Sequence, residues 1–200
     1  MKGDSTMKER PILFSGEMVR AILDGRKTMT RRVIRFPKGA DNDCYPGIAA
    51  GHFWWFRDGF STGQRIRCPY GQPGDRLWVR ETYKIVEPGF MQEREEVYYR
   101  ADFRYLKPGE NGPWKPSIFM PRRASRTSLE IVSVKVERLQ DITERDIIAE
   151  GIHRELGGWG NSFGYYTNAF KALWDSINAK RGYGWSVNPW VWVIEFTRVT

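Results

Sequence analysis

The sequence predicts a single α+β domain spanning residues 1–200, a small barrel-like sheet of five to six mixed strands flanked by helices. Residues 129–139 alternate between apolar and polar side chains, which is the period of a half-buried strand. Residues 190–196 are apolar on both faces, which is typical of a central strand. Between them, Thr143 and Asp146 have the spacing of a capping box at a helix start. Strands joined by long connections and only a few helices favour the α+β class.

The N-terminal half contains one clear helix signal. Ser15 is a candidate N-cap for a helix over residues 16–24, and Gly25 is suited to end it. Residues 36–75 are rich in glycine, proline and aromatic residues, which predicts long ordered loops. The other elements predicted before residue 122 are strands at 77–81 and 97–101 and a proline-rich, irregular loop at 107–121.

The C-terminal half is more regular. The capping box predicts a short helix over residues 144–150, which ends at Gly151. A longer helix is predicted before Gly182, because five apolar residues recur there at helical spacing: Tyr166, Phe170, Leu173, Trp174 and Ile177. The alternation in residues 129–139 predicts that three valines share one face of a strand: Val132, Val134 and Val136.

The composition excludes several classes of protein. Hydrophobic residues make up 40% of the 200 residues and aromatic residues 14%, which excludes a mainly disordered chain. No apolar run approaches the roughly 18–20 residues that cross a bilayer, so no membrane partner is expected. Two cysteines, Cys44 and Cys68, are too few for a disulfide scaffold, and we expect a cytoplasmic protein with reduced thiols. Neither the cysteines nor His52 and His153 have an established zinc spacing, and no nucleotide-binding glycine loop is present, so no metal or cofactor is expected.

Positive charge is concentrated in two windows. The net charge is +8 and the pI is near 9.6. Residues 20–35 contain six basic residues and one acid, and residues 115–126 contain four basic residues and no acid. Concentrated positive charge favours a polyanionic partner such as nucleic acid over an ordinary solvated surface, which is the alternative.

A motif lies inside the first basic window. Residues 22–32 read Ile-Leu-Asp-Gly-Arg-Lys-Thr-Met-Thr-Arg-Arg, and this pattern resembles the N-terminal motif of the ASCH domain family, in the PUA-like superfamily. The resemblance continues at residues 73–79, 139–151 and 192–196. Relative to the smallest members of that family, residues 36–70 and 83–125 resemble insertions, and residues 68–71 and 115–118 resemble a branch common in phage and prophage proteins.

The resemblance implies a PUA-like barrel with a cleft for RNA, or for a single base or nucleoside in ordinary or modified form. Some small bacterial members hydrolyse the amide of N4-acetylcytidine without a metal. Their catalytic residue types match Lys27 as the base, Thr30 as the nucleophile and Glu150. The residues expected to bind nucleic acid or substrate are those of the two basic windows: Arg26, Thr28, Arg31, Arg32, Arg122, Arg123 and Arg126.

The chemistry of these residues leaves alternatives open. A threonine hydroxyl is a weak nucleophile until a base removes its proton, and a lysine serves as that base only if its pKa is lowered. In a straight strand Lys27 and Thr30 would point to opposite faces, so the catalytic hypothesis requires a bend between them. The alternatives are a non-catalytic module of a phage or prophage that binds RNA or a modified base, and a structural or assembly role.

The aromatic residues have two interpretations. Five of them cluster in a glycine-bounded region, where they either stack on bases or cover the core: Phe53, Trp54, Trp55, Phe56 and Phe60. Trp114 and Trp159 lie in similar surroundings and raise the same question. We expect packing for most of them and stacking for one or two.

Overall fold

A computed structural model describes most of the chain. The described residues are 7–35, 44–49, 52–57, 64–87, 94–103, 105, 113–153 and 164–199. In this part of the chain no helix is long and apolar enough to cross a membrane.

The described residues form ten strands and three α-helices. The strands are β1 (Glu9–Leu13), β2 (Met29–Val33), β3 (Cys44–Ala49), β4 (His52–Arg57), β5 (Gln64–Arg65), β6 (Arg76–Arg80), β7 (Tyr83–Val86), β8 (Glu96–Tyr99), β9 (Ser128–Arg138) and β10 (Trp190–Arg198). The helices are α1 (Gly16–Leu23), α2 (Glu144–Ala149) and α3 (Tyr165–Asn178). These bounds agree closely with the predicted helices and with the strands predicted near residues 77, 97, 129 and 190.

The main sheet is mixed, which confirms the predicted α+β class. Its five strands lie in the order β1-β6-β9-β10-β2. β1 runs parallel to β6, and the other neighbours are antiparallel. Among the described strands β1 and β2 are the two edges, so the sheet is open rather than a closed barrel. β10 lies between β9 and β2, and the prediction of a central last strand is therefore confirmed.

Helices cover the two faces of the sheet. α1 packs on one face through Val19 and Ile22, against a core that includes Trp192 and Ile194 of β10. α2 and α3 pack on the opposite face, where Val191 and Val193 point because side chains alternate along a strand. The end of α2 thus comes to lie beside β2, the edge strand that carries the first basic motif.

Two sequence-based expectations are corrected. Residues 36–75 are not only loops, because β3, β4 and β5 form a separate antiparallel sheet of three strands. Val132 does not share a buried face with Val134 and Val136. The pairing of β9 with β10 shifts by one residue there, which leaves Val132 at a bulge with 53% of its surface exposed.

The capping box of α2 is confirmed, and its removal gives a measurable loss. The Thr143 hydroxyl accepts a hydrogen bond from the Asp146 amide at 3.2 Å, and the Asp146 carboxylate accepts one from the Thr143 amide at 3.1 Å. We expect Thr143→Ala to lower the free energy of unfolding by about 0.5–2 kcal/mol, as measured by urea denaturation. An unchanged midpoint would show that the cap does not stabilise α2.

Candidate functional site

Two glycine turns bring Lys27 and Glu150 together. Gly25 ends α1 with φ +72°, and Gly151 follows α2 with φ +90°, conformations that favour glycine. A Cβ atom on Gly151 would lie 3.0 Å from the Cβ atoms of Lys27 and Ala21, so the approach is too close for a larger residue. The backbones of Lys27 and Glu150 consequently meet in an isolated antiparallel bridge.

The Lys27 ammonium is buried and fully hydrogen-bonded. Its Nζ atom donates to Glu150 Oε2 at 2.7 Å, to the Glu150 carbonyl at 2.8 Å and to the Met29 carbonyl at 2.8 Å. Only 3% of the residue is exposed. Burial lowers the pKa of Lys27 below its ordinary value, and the Glu150 carboxylate opposes this shift. The three acceptors match the three N–H groups of a lysine ammonium, so this arrangement suits the charged form of Lys27.

Glu150 connects this lysine to a second buried cation. Its other oxygen, Oε1, lies 3.5 Å from Nη1 of Arg31. Arg31 Nη2 also contacts Asp146 Oδ2 at 3.0 Å and Glu137 Oε2 at 3.3 Å. Asp146 was predicted only as a capping residue, and Glu137 was not predicted in any role. Sequence spacing cannot reveal this network, because its members come from β2, β9 and α2.

Thr30 is buried close to the pair but is not hydrogen-bonded to it. It lies in β2 opposite Ile194, one residue after Met29, whose carbonyl accepts from Lys27. Within the described residues the Thr30 hydroxyl donates to neither Lys27 nor Glu150. Lys27 lies in the bridge with Glu150, two residues before the regular strand starts at Met29.

Arg32 points to the same face of β2 as Thr30, because alternate residues of a strand share a face. Its guanidinium carbon lies 5.1 Å from the centre of the Phe14 ring, and Nη2 donates to the Leu13 carbonyl at 2.8 Å. Lys27 Nζ lies 5.6 Å from the centre of the same ring. Phe14, which sequence reasoning missed, is thus the aromatic surface that two cations of the motif share.

Arg26 and Thr28 flank the buried lysine nearer the surface. Arg26 donates to Asp24 Oδ2 at 2.8 Å and lies 3.1 Å from Nδ1 of the exposed His153. The exposed Thr28 donates its amide to the Ala149 carbonyl at 2.8 Å, which joins the end of α2 to the start of β2. The structure therefore brings most residues of the first basic window to one place.

The second basic window lies elsewhere and is largely neutralised by acids that are distant in sequence. Arg122 forms two hydrogen bonds to the Glu9 carboxylate, at 2.9 and 3.2 Å, and the exposed Arg123 pairs with Glu95. The window contains no acid of its own, which is why its sequence predicted a free cationic surface.

Arg126 is held most firmly. Its Nε and Nη2 atoms donate to the two oxygens of Glu81 at 2.9 and 3.0 Å, and Nη1 donates to Asp102 at 2.8 Å. Its guanidinium carbon lies 3.9 Å from the centre of the Tyr99 ring. Burial raises the pKa of Glu81, and Arg126 opposes that shift. These contacts favour a structural role for Arg126.

Phe53 and Trp114, two of the aromatic residues with two possible interpretations, pack against other rings. Phe53 of β4 packs edge-on against Trp192 at 4.9 Å between ring centres, and Trp114 lies 5.7 Å from Phe103. Phe60 and Trp159, and the side chains of Trp55 and Phe56, lie outside the described residues. In the described ranges no three His, Cys, Asp or Glu side chains form a cluster that could hold a metal ion.

Comparisons with known proteins gave one structural similarity to report. No protein-family model and no curated protein sequence matches the chain. The structure is similar to the crystal structure of an ASCH domain from Lactobacillus crispatus JV V101, with a TM-score of 0.43 and 11% sequence identity. The similarity covers 96% of this chain and 80% of that chain. The sequence motifs around Lys27 resemble the same family, that of the ASCH domain.

Proposed function

We propose that the chain binds a base of a nucleic acid, or a free nucleoside, at the site formed by Lys27, Thr30, Arg32 and Glu150. The observation that carries this proposal is the Glu150 carboxylate. Its Oε2 atom is engaged by Lys27, whereas Oε1 is buried and, within the described residues, accepts no hydrogen bond. Buried acceptors are normally satisfied, so an unfilled one inside a cationic cluster indicates a place for a donor group.

A nucleobase supplies the donor that this carboxylate lacks. Exocyclic amino groups and ring N–H groups of bases donate hydrogen bonds, and base-binding pockets read them with fixed acceptors. Lys27 and Arg31 hold the carboxylate from two sides, at 2.7 and 3.5 Å, so its free lone pairs have a defined direction. Arg32 on the Phe14 ring provides positive charge beside the site for a phosphate.

Thermal stabilisation by a panel of nucleosides tests this proposal. The panel contains the ordinary ribonucleosides with acylated and otherwise modified forms. We expect at least one base with an exocyclic N–H to raise the melting temperature of the wild-type protein. Glu150→Gln should abolish that shift, because the amide replaces an ionised acceptor. Glu144→Gln, an exposed change at the start of the same helix, should retain it. Stabilisation that survives Glu150→Gln would refute the assignment of the site.

A second candidate function is hydrolysis of the amide of an N4-acylated cytidine. Burial lowers the pKa of Lys27, which is the shift that a lysine base needs. In this reaction the Thr30 hydroxyl attacks the acyl carbonyl, Lys27 accepts its proton, and the cytosine amino group leaves with a proton. Water then releases the acyl group as a carboxylate. Lys27 must first lose a proton, which deprives one of its three acceptors of a donor.

Turnover of N4-acetylcytidine separates binding from hydrolysis. If hydrolysis occurs, we expect Thr30→Ala to lower kcat at least 1,000-fold, roughly the effect of removing a nucleophile. Thr30→Ser should keep part of the rate, and the exposed Thr197→Ala in β10 should keep all of it. If the wild-type protein binds the nucleoside without releasing acetate, the catalytic hypothesis is excluded and the binding proposal remains.

A further inference from the structure

Two large apolar side chains are held in exposed positions outside the candidate site. Ile118 and Phe119 end a single helical turn, and 58% and 70% of their surfaces are exposed. The turn is firmly anchored, since Met120 is completely buried. The Ile118 carbonyl accepts from Arg80 Nη1 at 3.2 Å, and the Phe119 carbonyl accepts from the Tyr83 hydroxyl at 2.9 Å. The backbone is thus fixed while the side chains remain available.

Arg80 contacts the turn directly, and a second guanidinium beside it, that of Arg122, is paired with Glu9. Arg80 and Arg122 place their guanidinium carbons 4.6 and 6.0 Å from the centre of the Trp78 ring. Lys115 is exposed three residues before Ile118. Among the described residues no carboxylate forms an ion pair with Arg80 or Lys115. The exposed Phe119 ring and the unpaired charges of Arg80 and Lys115 complement stacked bases and phosphates. They do not complement an apolar protein surface.

A chain of contacts links the exposed turn to the candidate site. Leu13 of β1 lies opposite Arg80 in the sheet, and the amide of Phe14 donates to the Arg80 carbonyl at 3.2 Å. The Leu13 carbonyl in turn accepts from Arg32, which lies over the Phe14 ring that also faces Lys27. A chain of direct contacts therefore runs from the buried lysine to the exposed turn.

We propose that Phe119, Ile118, Arg80 and Lys115 bind the flanking nucleotides of a single-stranded nucleic acid. One base would stack on the Phe119 ring, while Lys115 and Arg80 would contact the backbone. Entry of the same strand into the candidate site rests on the proposed function. Binding at the stacking surface, formed by these four residues, does not.

Binding of short, unstructured RNA and DNA oligonucleotides of one sequence, with a duplex as a third probe, tests this inference. We expect Phe119→Ala to weaken single-strand binding about 5- to 150-fold, the equivalent of one lost stacking contact. Lys115→Gln should lower the slope of log affinity against log salt by about 0.7. The control is Val187→Ala, because Val187 is 57% exposed and its neighbour Asn188 contacts Arg138, at the C-terminal end of β9. It should bind like the wild type.

The outcomes separate this inference from the proposed function. Single-strand binding that is unchanged in Phe119→Ala, or equal binding of the duplex, would overturn the stacking surface. If Phe119→Ala weakens oligonucleotide binding but nucleosides still stabilise the variant, both the stacking surface and the proposed nucleoside site are supported. If oligonucleotide binding depends on Phe119 but no nucleoside stabilises the protein, the stacking surface is supported and the proposed nucleoside site is refuted. If RNA binds more tightly than DNA, the partner is RNA. If the two bind equally, the partner is any single-stranded nucleic acid. Either result supports the stacking surface.

Discussion

Replacing Lys27 with methionine is expected to lower the free energy of unfolding by about 3–5 kcal/mol, the cost of breaking a buried ion pair by removing one partner. The Glu150 carboxylate, 7% exposed, would keep Arg31 at 3.5 Å but lose its closest cation. The carbonyls of Met29 and Glu150 would also lose their donor. Urea denaturation at neutral pH measures the loss.

Two comparison variants make this result specific. Lys27→Met combined with Glu150→Gln removes the uncompensated charge, so we expect the double variant to recover part of the loss. Lys135→Met breaks an exposed pair with Glu195 at 3.6 Å, which should cost about 0–1 kcal/mol. If Lys27→Met were as stable as Lys135→Met, the buried pair would not hold β2 to α2.

Arg126→Ala is expected to have an effect of similar size, about 3–5 kcal/mol, because it leaves Glu81 buried without its bidentate partner. Only 1% of Glu81 is exposed. Its pKa, already raised by burial, should rise further without the guanidinium. The folded state would then bind a proton that the unfolded state releases, so the variant should lose stability as the pH rises above about 4.5. Unfolding at acidic and neutral pH measures this difference.

Arg123→Ala is the matched control, because its side chain is 63% exposed and its partner Glu95 remains accessible to water. We expect little change in its unfolding midpoint. A fully stable Arg126→Ala that binds nucleic acid weakly would instead favour the binding role that the sequence predicts for Arg126.

Local patterns predicted the elements well, and the errors arose where distant residues meet. The cap of α2 depends on residues three positions apart, so Thr143 and Asp146 were correctly identified. The exposure of Val132 depends on a register shift against β10, which the alternation of β9 does not encode. The strands within residues 36–75 were missed because glycine and proline normally interrupt strands, as in the segment Tyr-Pro-Gly of β3.

The candidate site was predictable only in part, for the same reason. The resemblance of residues 22–32 and 139–151 to family motifs assigned Lys27 and Glu150 to one site, although 123 positions separate them. No sequence window contains the acids that surround Arg31. The charge of residues 115–126 was read as a free surface because its partners Glu9 and Glu81 belong to other segments.

The central position of β10 has a consequence for synthesis of the chain. Among the described strands β2 pairs only with β10, and its partner residues lie about 160 positions later. At roughly 5–20 residues per second, a ribosome needs about 8–30 s to make that intervening length. During this time β2 has no strand to pair with, and contacts of such long range form slowly. The nascent chain therefore completes this sheet only after β10 has emerged from the ribosome, so the pairing of β2 is a late step in folding.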